Sequence, residues 1–387
     1  RLGLSYLSGL LSNLNAKSVE PIALEFLGES GVRSAQRFLK HYVWDEGRML
    51  GHYQTLLANE IASPGGMLTV DSTEFPKKGK ESVGVARQYC GRLGKVDNCQ
   101  SGVFVGYCSD KGYGLVDGRL YMPKDWFSED HEERRKETLV PTDLQFQTKP
   151  EIALDAIKRV AGTGRFPARW AGCDATFGSN PDFLSGLPEG MHYFAQVRSD
   201  TLVFSEKVEV ELPECGGRGP RPSKPKVVSE QNRPRPVVEV ASNATWETIV
   251  LAEGAKGPIL ADVAVLRVWR ALNGVPVEEV WLYARRLEDG QIKYALSNAP
   301  PDMPRSELDR AAMMRWSIEQ CFRDGKSHLG MDHYEHRSWP AWHRHMIYVF
   351  LASLFLLRLR VHGKKNTSSN PSAGSEAPRV CLADALP

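Results

Sequence analysis

The sequence predicts an α/β fold with a mixed sheet, and three observations along its 387 residues support this class. Three strand-length runs, MLTVDST, SGVFVGYCSD and GYGLVDGRLYMP, follow one another from Met67, each bounded by Gly, Pro or Asp. The helical repeat EIALDAIKRV comes next, and the short strand ARWAGC follows it. Three successive strands indicate a meander, and a strand after the helix extends the sheet.

The N-terminal region, from residue 1 to about 62, is predicted to be helical, because apolar residues recur at helical spacing in VEPIALEFLG and GVRSAQRFLKHYV. The break between Gly28 and Gly31 predicts a tight turn between two helices. One interpretation is a helix-turn-helix unit that presents Arg33, Arg37 and Lys40 to DNA. The alternative, which spacing alone favours, is an ordinary helical bundle with solvated charges.

The later elements predict a core in two parts. The helix after the meander has Thr148 as its predicted N-cap and Pro150 in its first turn. After HYFAQV the chain is β-rich over 201–300, which indicates an insertion between core segments 63–200 and 301–361. A helix resumes at Ser306, where S-x-x-D predicts a capping box, and HMIYVFLASLFLLRLRV forms the last helix. Residues 362–387 have the composition of a disordered tail.

The composition argues against wholesale disorder and against a membrane protein, since 42% of residues are hydrophobic and 25% are charged. The longest apolar run is about 12 residues, whereas a membrane-spanning helix needs about 20. The chain begins at Arg1 and shows no secretory signal. Seven cysteines without a CxxC pair predict neither a disulfide framework nor a zinc site, so we expect a reducing, cytoplasmic environment.

Three acidic residues are the candidate catalytic groups. Asp71 ends the apolar run MLTV inside a strand, where a buried carboxylate is costly unless a partner or a metal takes its charge. Asp174 follows the strand ARWAGC, at a strand end where α/β proteins build sites. Considered alone, Asp71 also fits a turn or cap residue, and Asp174 also fits the N-cap of the next helix.

The third acid, Glu319, lies on the helix after Ser306, on one face with Arg315, Arg323 and Lys326. The opposite face is apolar enough to dock on a sheet. The alternative is a solvated stripe of ion pairs, because Glu and Arg four residues apart stabilise a helix without any function.

Carboxylates that converge from different elements can hold two divalent ions about 3.5–4 Å apart, as nucleases and strand transferases require. Oxygen ligands suit Mg²⁺ or Mn²⁺. Net charge is only +2, so local basic clusters indicate DNA better than overall charge does. The basic residues beside the third acid, Arg315, Arg323 and Lys326, are candidate contacts of the scissile phosphate. Further candidate phosphate contacts are Lys77, Lys78 and Lys80 after Asp71, and Arg218, Arg221, Lys224 and Lys226 in a Pro/Gly-rich loop, 216–238, which carries six basic residues.

Three stretches resemble the conserved blocks of bacterial insertion-sequence transposases of the DDE superfamily. The first is long and specific and runs from VDSTEFPKKGK to LYMPKDW, the second is GCDATFGSN, and the third is RWSIEQCFRDGKSHLGMDHYEHRSWPAWHRHM. The resemblance extends from the N-terminal helices to about Arg360 and implies a ribonuclease-H-like core with a β-strand insertion domain. It places the three catalytic acids of the family on Asp71, Asp174 and Glu319.

In the branch of the family with this insertion, the third block holds Tyr, Arg, Glu and Lys at fixed spacing. Arg315, Glu319 and Lys326 match this pattern, but Ala312 stands at the tyrosine position, so the tyrosine's role does not carry over. The resemblance also implies a flipped base stacked on an aromatic residue at a DNA hairpin. Candidate platforms, each of which also fits an ordinary core residue, are Trp316, Trp246 and Trp269.

The expected function is therefore a metal-dependent DNA transposase. It would bind the terminal repeats of its element in double-stranded DNA, cleave with water, and join the freed 3′-hydroxyl to target DNA. The resemblance implies a homo-oligomer in the synaptic complex and a bacterial protein associated with the nucleoid when bound to DNA. Two alternatives are a non-catalytic DNA-binding protein derived from a transposase, and a host nuclease of the same fold that cleaves without joining.

Overall fold

The structure is a computed structural model, and its chain divides into two compact units. The first unit comprises residues 1–169, 186–188 and the described residues from 316 onward; the second comprises 170–185 and the described residues of 189–315. The described residues are 1–212, 224–229, 232–254, 257–287 and 290–367.

Four helices open the first unit, and the two predicted between 19 and 40 are confirmed. A short 3₁₀ turn, Glu29–Gly31, separates them where the sequence predicts a break. The second helix of the pair is the most polar of the four, and it buries only Ala35 and Leu39. The helices are α1 (Leu2–Leu11), α2 (Val19–Leu27), α3 (Val32–Lys40) and α4 (Glu46–Ile61).

The predicted meander is confirmed as an antiparallel sheet whose central strand is β3, paired with β1 on one side and β4 on the other. A further strand, β2, was not predicted; it pairs with the first residues of β3, and its sequence ARQYC is short and largely polar. The strands are β1 (Gly66–Pro76), β2 (Ala86–Cys90), β3 (Lys95–Ser109) and β4 (Gly112–Leu120).

Among the remaining helices of the first unit, α6, α11 and α12 pack against this sheet. The Thr148 side chain accepts a hydrogen bond from the Glu151 amide, and Glu151 Oε2 accepts one from the Thr148 amide at 2.7 Å. The predicted N-cap of the helix after the meander, α6, is therefore confirmed, and it forms a capping box. The last helix continues beyond the predicted start of the tail at 362, and the tail after 367 lies outside the described residues. The helices are α5 (Glu132–Glu137), α6 (Lys149–Gly162), α11 (Ser317–His328) and α12 (Trp339–Thr367).

The second unit is built on a mixed sheet. Its strands β5 and β6 are parallel, and β6, β14, β13, β12 and β7 follow with antiparallel pairing. The β12–β13 hairpin turns at Asn273 and Gly274, whose φ values of 52° and 81° suit an Asn-Gly turn. The elements are β5 (Ala168–Cys173), α7 (Ala175–Gly178), α8 (Pro181–Ser185), β6 (His192–Val197), β7 (Leu202–Phe204), β8 (Val210–Glu211), β9 (Lys226–Val227), β10 (Arg235–Pro236), α9 (Val237–Ser242), β11 (Glu247–Gly254), β12 (Gly257–Leu272), β13 (Val275–Arg286), β14 (Ile292–Ser297) and α10 (Arg305–Arg315).

The order of a meander, α6, β5, short helices and the parallel strand β6 confirms the ribonuclease-H-like α/β class. The region after β6 is rich in strands as expected, although the helix α9 within it was not predicted. No disulfide joins the five cysteines in the described ranges. No helix among the described residues is long and apolar enough to span a membrane.

Candidate active site

Asp71 lies in the middle of β1, paired with the buried Phe104 of β3. Since side chains alternate between the two faces of a strand, Thr69, Asp71 and Thr73 share one face. The carboxyl group is half-buried, and its Oδ1 accepts a hydrogen bond from the Ser72 amide at 2.7 Å. The sequence prediction that this acid lies inside a strand is confirmed.

The helix α11 covers the same face of β1. Its Phe322 ring packs against Phe104, the strand partner of Asp71, with ring centroids 5.5 Å apart. Further along the helix, Nζ of Lys326 donates a hydrogen bond to Oγ1 of Thr73 at 2.6 Å. Residues of two successive helical turns thus contact one stretch of the strand pair β1–β3.

The start of α11 fixes the direction of the helix over the strand. A Cβ atom on Gly106, the strand partner of Thr69, would lie 3.6 Å from Cγ1 of Ile318. The helix therefore passes from the level of Thr69 at Ile318 to the level of Thr73 at Lys326, in the same direction as β1.

This direction places Glu319 on the face of β1 that carries Asp71. From Glu319 to Lys326 the helix rises about 10 Å, and from Thr69 to Thr73 the strand advances about 13 Å. The step of seven residues from Glu319 to Lys326 completes almost two turns, so both side chains leave the helix on the side that faces β1. Two of the three predicted acids, Asp71 and Glu319, thus lie on facing elements, β1 and α11.

Lys326 is a cation held between these two elements. Besides Thr73, its Nζ lies 3.4 Å from the backbone oxygen of Glu74. Burial lowers the pKa of Lys326, and the carboxylate of Asp332 opposes that shift. A half-buried cation on the face of β1 that carries Asp71 provides a positive charge that water screens less than it screens an exposed one.

Asp174 lies in the second unit, at the C-terminal end of β5, as the sequence predicts. It is also the N-cap of α7: Oδ1 accepts hydrogen bonds from the amides of Thr176 (2.9 Å) and Phe177 (3.3 Å), and Oδ2 accepts one from Thr176 Oγ1 at 3.0 Å. The capping alternative for Asp174 is therefore confirmed. A capping carboxylate keeps further lone pairs, so the cap is compatible with a ligand role.

The opposite face of β1 holds an ion pair that sequence reasoning missed. Nζ of Lys149, on α6, lies 3.4 Å from Oε1 of Glu74 and 3.5 Å from Oγ of Ser72. Ser101 donates a hydrogen bond to the same oxygen of Glu74 at 3.3 Å. Side chains alternate between the two faces of a strand, and Asp71 and Glu74 are three residues apart. Their spacing could therefore have predicted that the two acids lie on opposite faces of β1.

The single helix predicted from Ser306 to beyond Lys326 is wrong in two respects. It is divided at Trp316 into α10 and α11, and the Glu319 amide bonds the Trp316 oxygen in a tighter, 3₁₀-type turn. α10 begins at Arg305, so Ser306 lies inside the first turn and is not its N-cap. Arg315, predicted on the same exposed stripe as Glu319, ends α10 and is only 3% exposed.

The other predicted phosphate contacts differ in accessibility. Arg323, Lys78 and Lys80 are exposed. Lys77 is half-buried: its Nζ donates to the backbone oxygen of Tyr334 at 2.8 Å and lies 3.6 Å from the centre of that ring. Burial lowers the pKa of Lys77 to about 8.

The predicted DNA-binding residues outside the core are partly described. Arg33, Arg37 and Lys40 form an exposed stripe on α3, and Lys224 and Lys226 are exposed. Arg218 and Arg221 lie outside the described residues. The predicted loop ends earlier than expected, since residues 237–238 belong to α9.

The three candidate aromatic platforms are all half-buried. Arg286 stacks over the ring of Trp246 at 4.5 Å, and Nζ of Lys207 lies 5.3 Å from the ring centre of Trp269. Trp316 occupies the junction between α10 and α11. Two of the three rings therefore already have a cationic side chain over them.

The donor chemistry of these acids fits a hard divalent cation, because carboxylate oxygens are the ligands that Mg²⁺ and Mn²⁺ prefer. Within the described ranges, no group of three or more His, Cys, Asp or Glu side chains is close enough together to hold a metal ion. We therefore assign candidate ligands without a coordination geometry.

Comparison with known proteins places this geometry in a family context. The family described as DDE superfamily endonuclease matches residues 1–258, a range that contains Asp71 and Asp174 and ends before Glu319. The probable transposase for insertion sequence element IS701 of Microchaete diplosiphon is 30% identical over 204 residues, 50% of this chain and 48% of that protein. The chain thus spans about half the length of this relative.

Among solved structures, the NurA nuclease from Sulfolobus solfataricus aligns with 89% of this chain and 99% of that chain, at 10% identity and a TM-score of 0.28. A likeness at this score carries no argument about fold or function.

Proposed function

Because the chain belongs to the DDE superfamily of endonucleases, we propose that it is a DNA transposase that cleaves element ends and joins them to target DNA. Asp71, Asp174 and Glu319 are the proposed catalytic carboxylates. The observation that carries the proposal is the position of Asp71 and Glu319 on facing elements, with Lys326 two helical turns beyond Glu319. A solvated ion-pair stripe would not require the Lys326 side of α11 to face a strand that carries an acid.

The proposed division of roles follows from charge and position. Asp71, Asp174 and Glu319 would hold divalent metal, Mg²⁺ or Mn²⁺, which when bound supplies activation of the attacking oxygen and positive charge for the leaving oxygen. Lys326 binds a phosphate oxygen of the scissile strand beside Glu319. The exposed Arg323, one turn beyond Glu319, binds an adjacent phosphate.

The DNA partners are proposed from the exposed basic residues. The α3 stripe of Arg33, Arg37 and Lys40 suits a phosphate backbone, since the three cations lie on one face of a helix. Lys224 and Lys226 provide a second basic segment. We further propose that two or more copies assemble on paired element ends, with double-stranded DNA as the partner throughout.

The deciding experiment uses labelled DNA that flanks the gene of this protein, an unlabelled target duplex, and Mg²⁺ or Mn²⁺. We expect nicked terminal-repeat DNA and a larger strand-transfer product, and we expect neither product without divalent metal or with Asp71→Asn.

The alternatives give different products in the same assay. Cleavage without a strand-transfer product would identify a nuclease of the same fold. DNA binding without cleavage, under conditions where the chain is folded, would identify a non-catalytic derivative and overturn the proposal.

A further inference from the structure

A large cavity lies in the first unit, away from the face of β1 that α11 covers. Its volume is about 840 Å³, and small-molecule sites commonly measure about 300–1,000 Å³. Its walls come from α4, β4, the C-terminal part of α6, and α12. The strand β3 separates β4 from β1, so this cavity is distinct from the candidate active site.

The floor of the cavity is apolar. Trp339, Met346, Ile347 and Phe350 of α12 form it. The ring of His343 completes this wall: its Nε2 accepts a hydrogen bond from the Leu120 amide at 3.4 Å, so its Nδ1 donates to the Trp339 oxygen at 3.0 Å.

This histidine contributes no charge to the floor. Burial lowers the pKa of His343 to about 4, so the ring is neutral near pH 7. A flat apolar group could therefore rest on the floor without meeting a charge.

The rim of the cavity is basic, with four arginines and two acids, and both acids are already paired. Oδ2 of Asp117 accepts two hydrogen bonds from Arg159, at 3.0 and 2.8 Å. Oε1 of Glu46 accepts one from Nε of Arg344 at 2.7 Å. The rim arginines are Arg48, Arg119, Arg159 and Arg165.

Three guanidinium groups remain at the rim without a carboxylate of their own. Arg119 donates to Oε1 of Gln147 at 2.6 Å, and Arg165 donates to Oγ1 of Thr55 at 3.1 Å. In the part of the chain that the structure describes, none of Arg48, Arg119 and Arg165 forms an ion pair. Burial lowers the pKa of Arg119, and repulsion from Arg159 lowers it further. A bound anion would raise this pKa again.

We propose that this cavity binds a nucleoside phosphate, with its phosphate on Arg48, Arg119 and Arg165 and its base on the apolar floor. The guanidinium group is planar and presents paired donors that match phosphate oxygens. A purely apolar ligand would leave the three cations unmatched, and an inorganic anion would leave the floor empty. The proposal does not depend on DNA cleavage.

The ligand chemistry has two possible sources, which experiment separates. One is a free mononucleotide, for which AMP is the probe. The other is the terminal nucleotide of a DNA strand, for which a short 5′-phosphorylated single-stranded oligonucleotide is the probe. We expect the free mononucleotide, because the cavity lies apart from the acids proposed to act on DNA.

Gly51 offers a way to fill the cavity without disturbing its walls. It lies on α4 and lines the cavity, and a Cβ atom there would meet no atom within 4 Å. Gly51→Trp should block the base-binding space. Gly51→Ala is the matched control, since it adds only one methyl group and alanine is favourable in a helix.

The test measures binding of AMP and of the oligonucleotide to the full chain by calorimetry. We expect AMP to bind, and Gly51→Trp and Arg48→Ala to weaken binding about tenfold or more. Gly51→Ala and Lys158→Ala, an exposed residue next to Arg159 that does not line the cavity, should bind within about twofold of the parent chain. Asp71→Asn should bind AMP normally, which separates this inference from the proposed function.

The outcomes divide clearly. Binding of the oligonucleotide but not of AMP, with the same sensitivity to Gly51→Trp, would assign the cavity to a DNA terminus. The proposal is overturned if neither probe binds at about millimolar concentration, or if Gly51→Trp leaves binding unchanged. If Gly51→Trp fails to fold, the exposed Arg48→Ala decides, because it removes no buried group.

Discussion

The two faces of β1 carry acids in contrasting settings. Glu74 faces α6, where Lys149 and Ser101 contact its carboxylate. Asp71, three residues earlier, faces α11, the helix that carries Glu319 and whose Lys326 contacts the same face of the strand. One strand therefore holds an acid that faces a lysine of α6 and an acid that faces the helix with a second candidate acid.

The helix that an acid of β1 faces therefore indicates the role of the acid better than its place in the sequence does. A carboxylate paired with lysine stabilises the fold. Two carboxylates that approach each other from a strand and a helix repel, and a cation relieves that repulsion. The face toward α11 is thus the face where bound metal would contribute most.

Asp71→Asn and Glu74→Gln should differ more in DNA cleavage than any other pair of variants. The amide of Asn keeps the size of the carboxylate but binds a divalent ion poorly, so cleavage of terminal-repeat DNA should fall at least about 10²–10³-fold. Glu74→Gln leaves Lys149 without its carboxylate, so stability should fall by about 1–2 kcal/mol while cleavage persists. Cleavage rates and urea unfolding of both variants provide the measurement.

Asp174→Asn and Glu319→Gln should resemble Asp71→Asn, with DNA binding in a band-shift assay largely retained. Near-normal cleavage by any of the three would remove that residue from the site. An equal loss of cleavage in Glu74→Gln would abolish the distinction between the two faces.

A smaller difference in cleavage is expected between variants of Lys326 and Lys149, the lysines on the two faces of β1. Lys326→Ala removes a positioned cation beside Glu319, so cleavage should fall by about 10²-fold with a small change in melting temperature. Lys149→Ala breaks the pair with Glu74 and should lower stability without a comparable loss of cleavage. Full activity in Lys326→Ala would leave this lysine a structural role only.

A smaller effect concerns pH and Lys77, just beyond the end of β1. Burial lowers the pKa of Lys77 from 10.5 to about 8. Between these two values the unfolded chain holds more protons at this residue than the folded chain does, so Lys77 makes stability rise with pH in that window. Below about pH 8 both states are protonated and its contribution is constant.

Urea unfolding of the parent chain and of Lys77→Met from pH 7 to 10 tests this. The difference in unfolding free energy should be flat near pH 7 and should then shift in favour of the parent chain as pH rises. The exposed Lys78→Met is the control and should show no such trend. A pH-independent difference for Lys77→Met would contradict the buried position of this amine.

The smallest effect is confined to the α6 side. Thr148→Ala removes the cap of α6 and should cost about 1 kcal/mol of stability. Cleavage should stay within about twofold, because the cap lies on the structural side of β1. A large loss of cleavage would mean that α6 also positions the acids on the other face.

Much of this arrangement could be predicted from the sequence where it depends on neighbours along the chain. The runs around Asp71 and before Asp174 are strongly apolar and bounded by turn residues, so both acids were assigned to strand positions that the structure confirms. The N-cap at Thr148 was equally local.

The parts that could not be predicted depend on contacts between distant segments. The helical stripe assigned Arg315 and Glu319 to one exposed face, but the chain leaves the helix at Trp316 and Arg315 is buried. The partner of Glu74 is Lys149, 75 residues away, and no periodicity indicates it. β2 is specified mainly by its pairing with β3 and not by its own residues.

The way α4 meets β4 has a consequence for solubility and for the design of shortened proteins. In the described ranges β4 pairs with β3 alone, and its outer edge is covered by α4: Tyr53 donates to the Leu115 oxygen and Gln54 to the Val116 oxygen. A bare strand edge is a template for pairing between molecules. A truncated protein that starts at residue 63 would expose that edge, so we expect it to aggregate instead of behaving as an isolated catalytic domain. In the full chain the N-terminal helix α4 prevents β4 from pairing with a strand of another molecule.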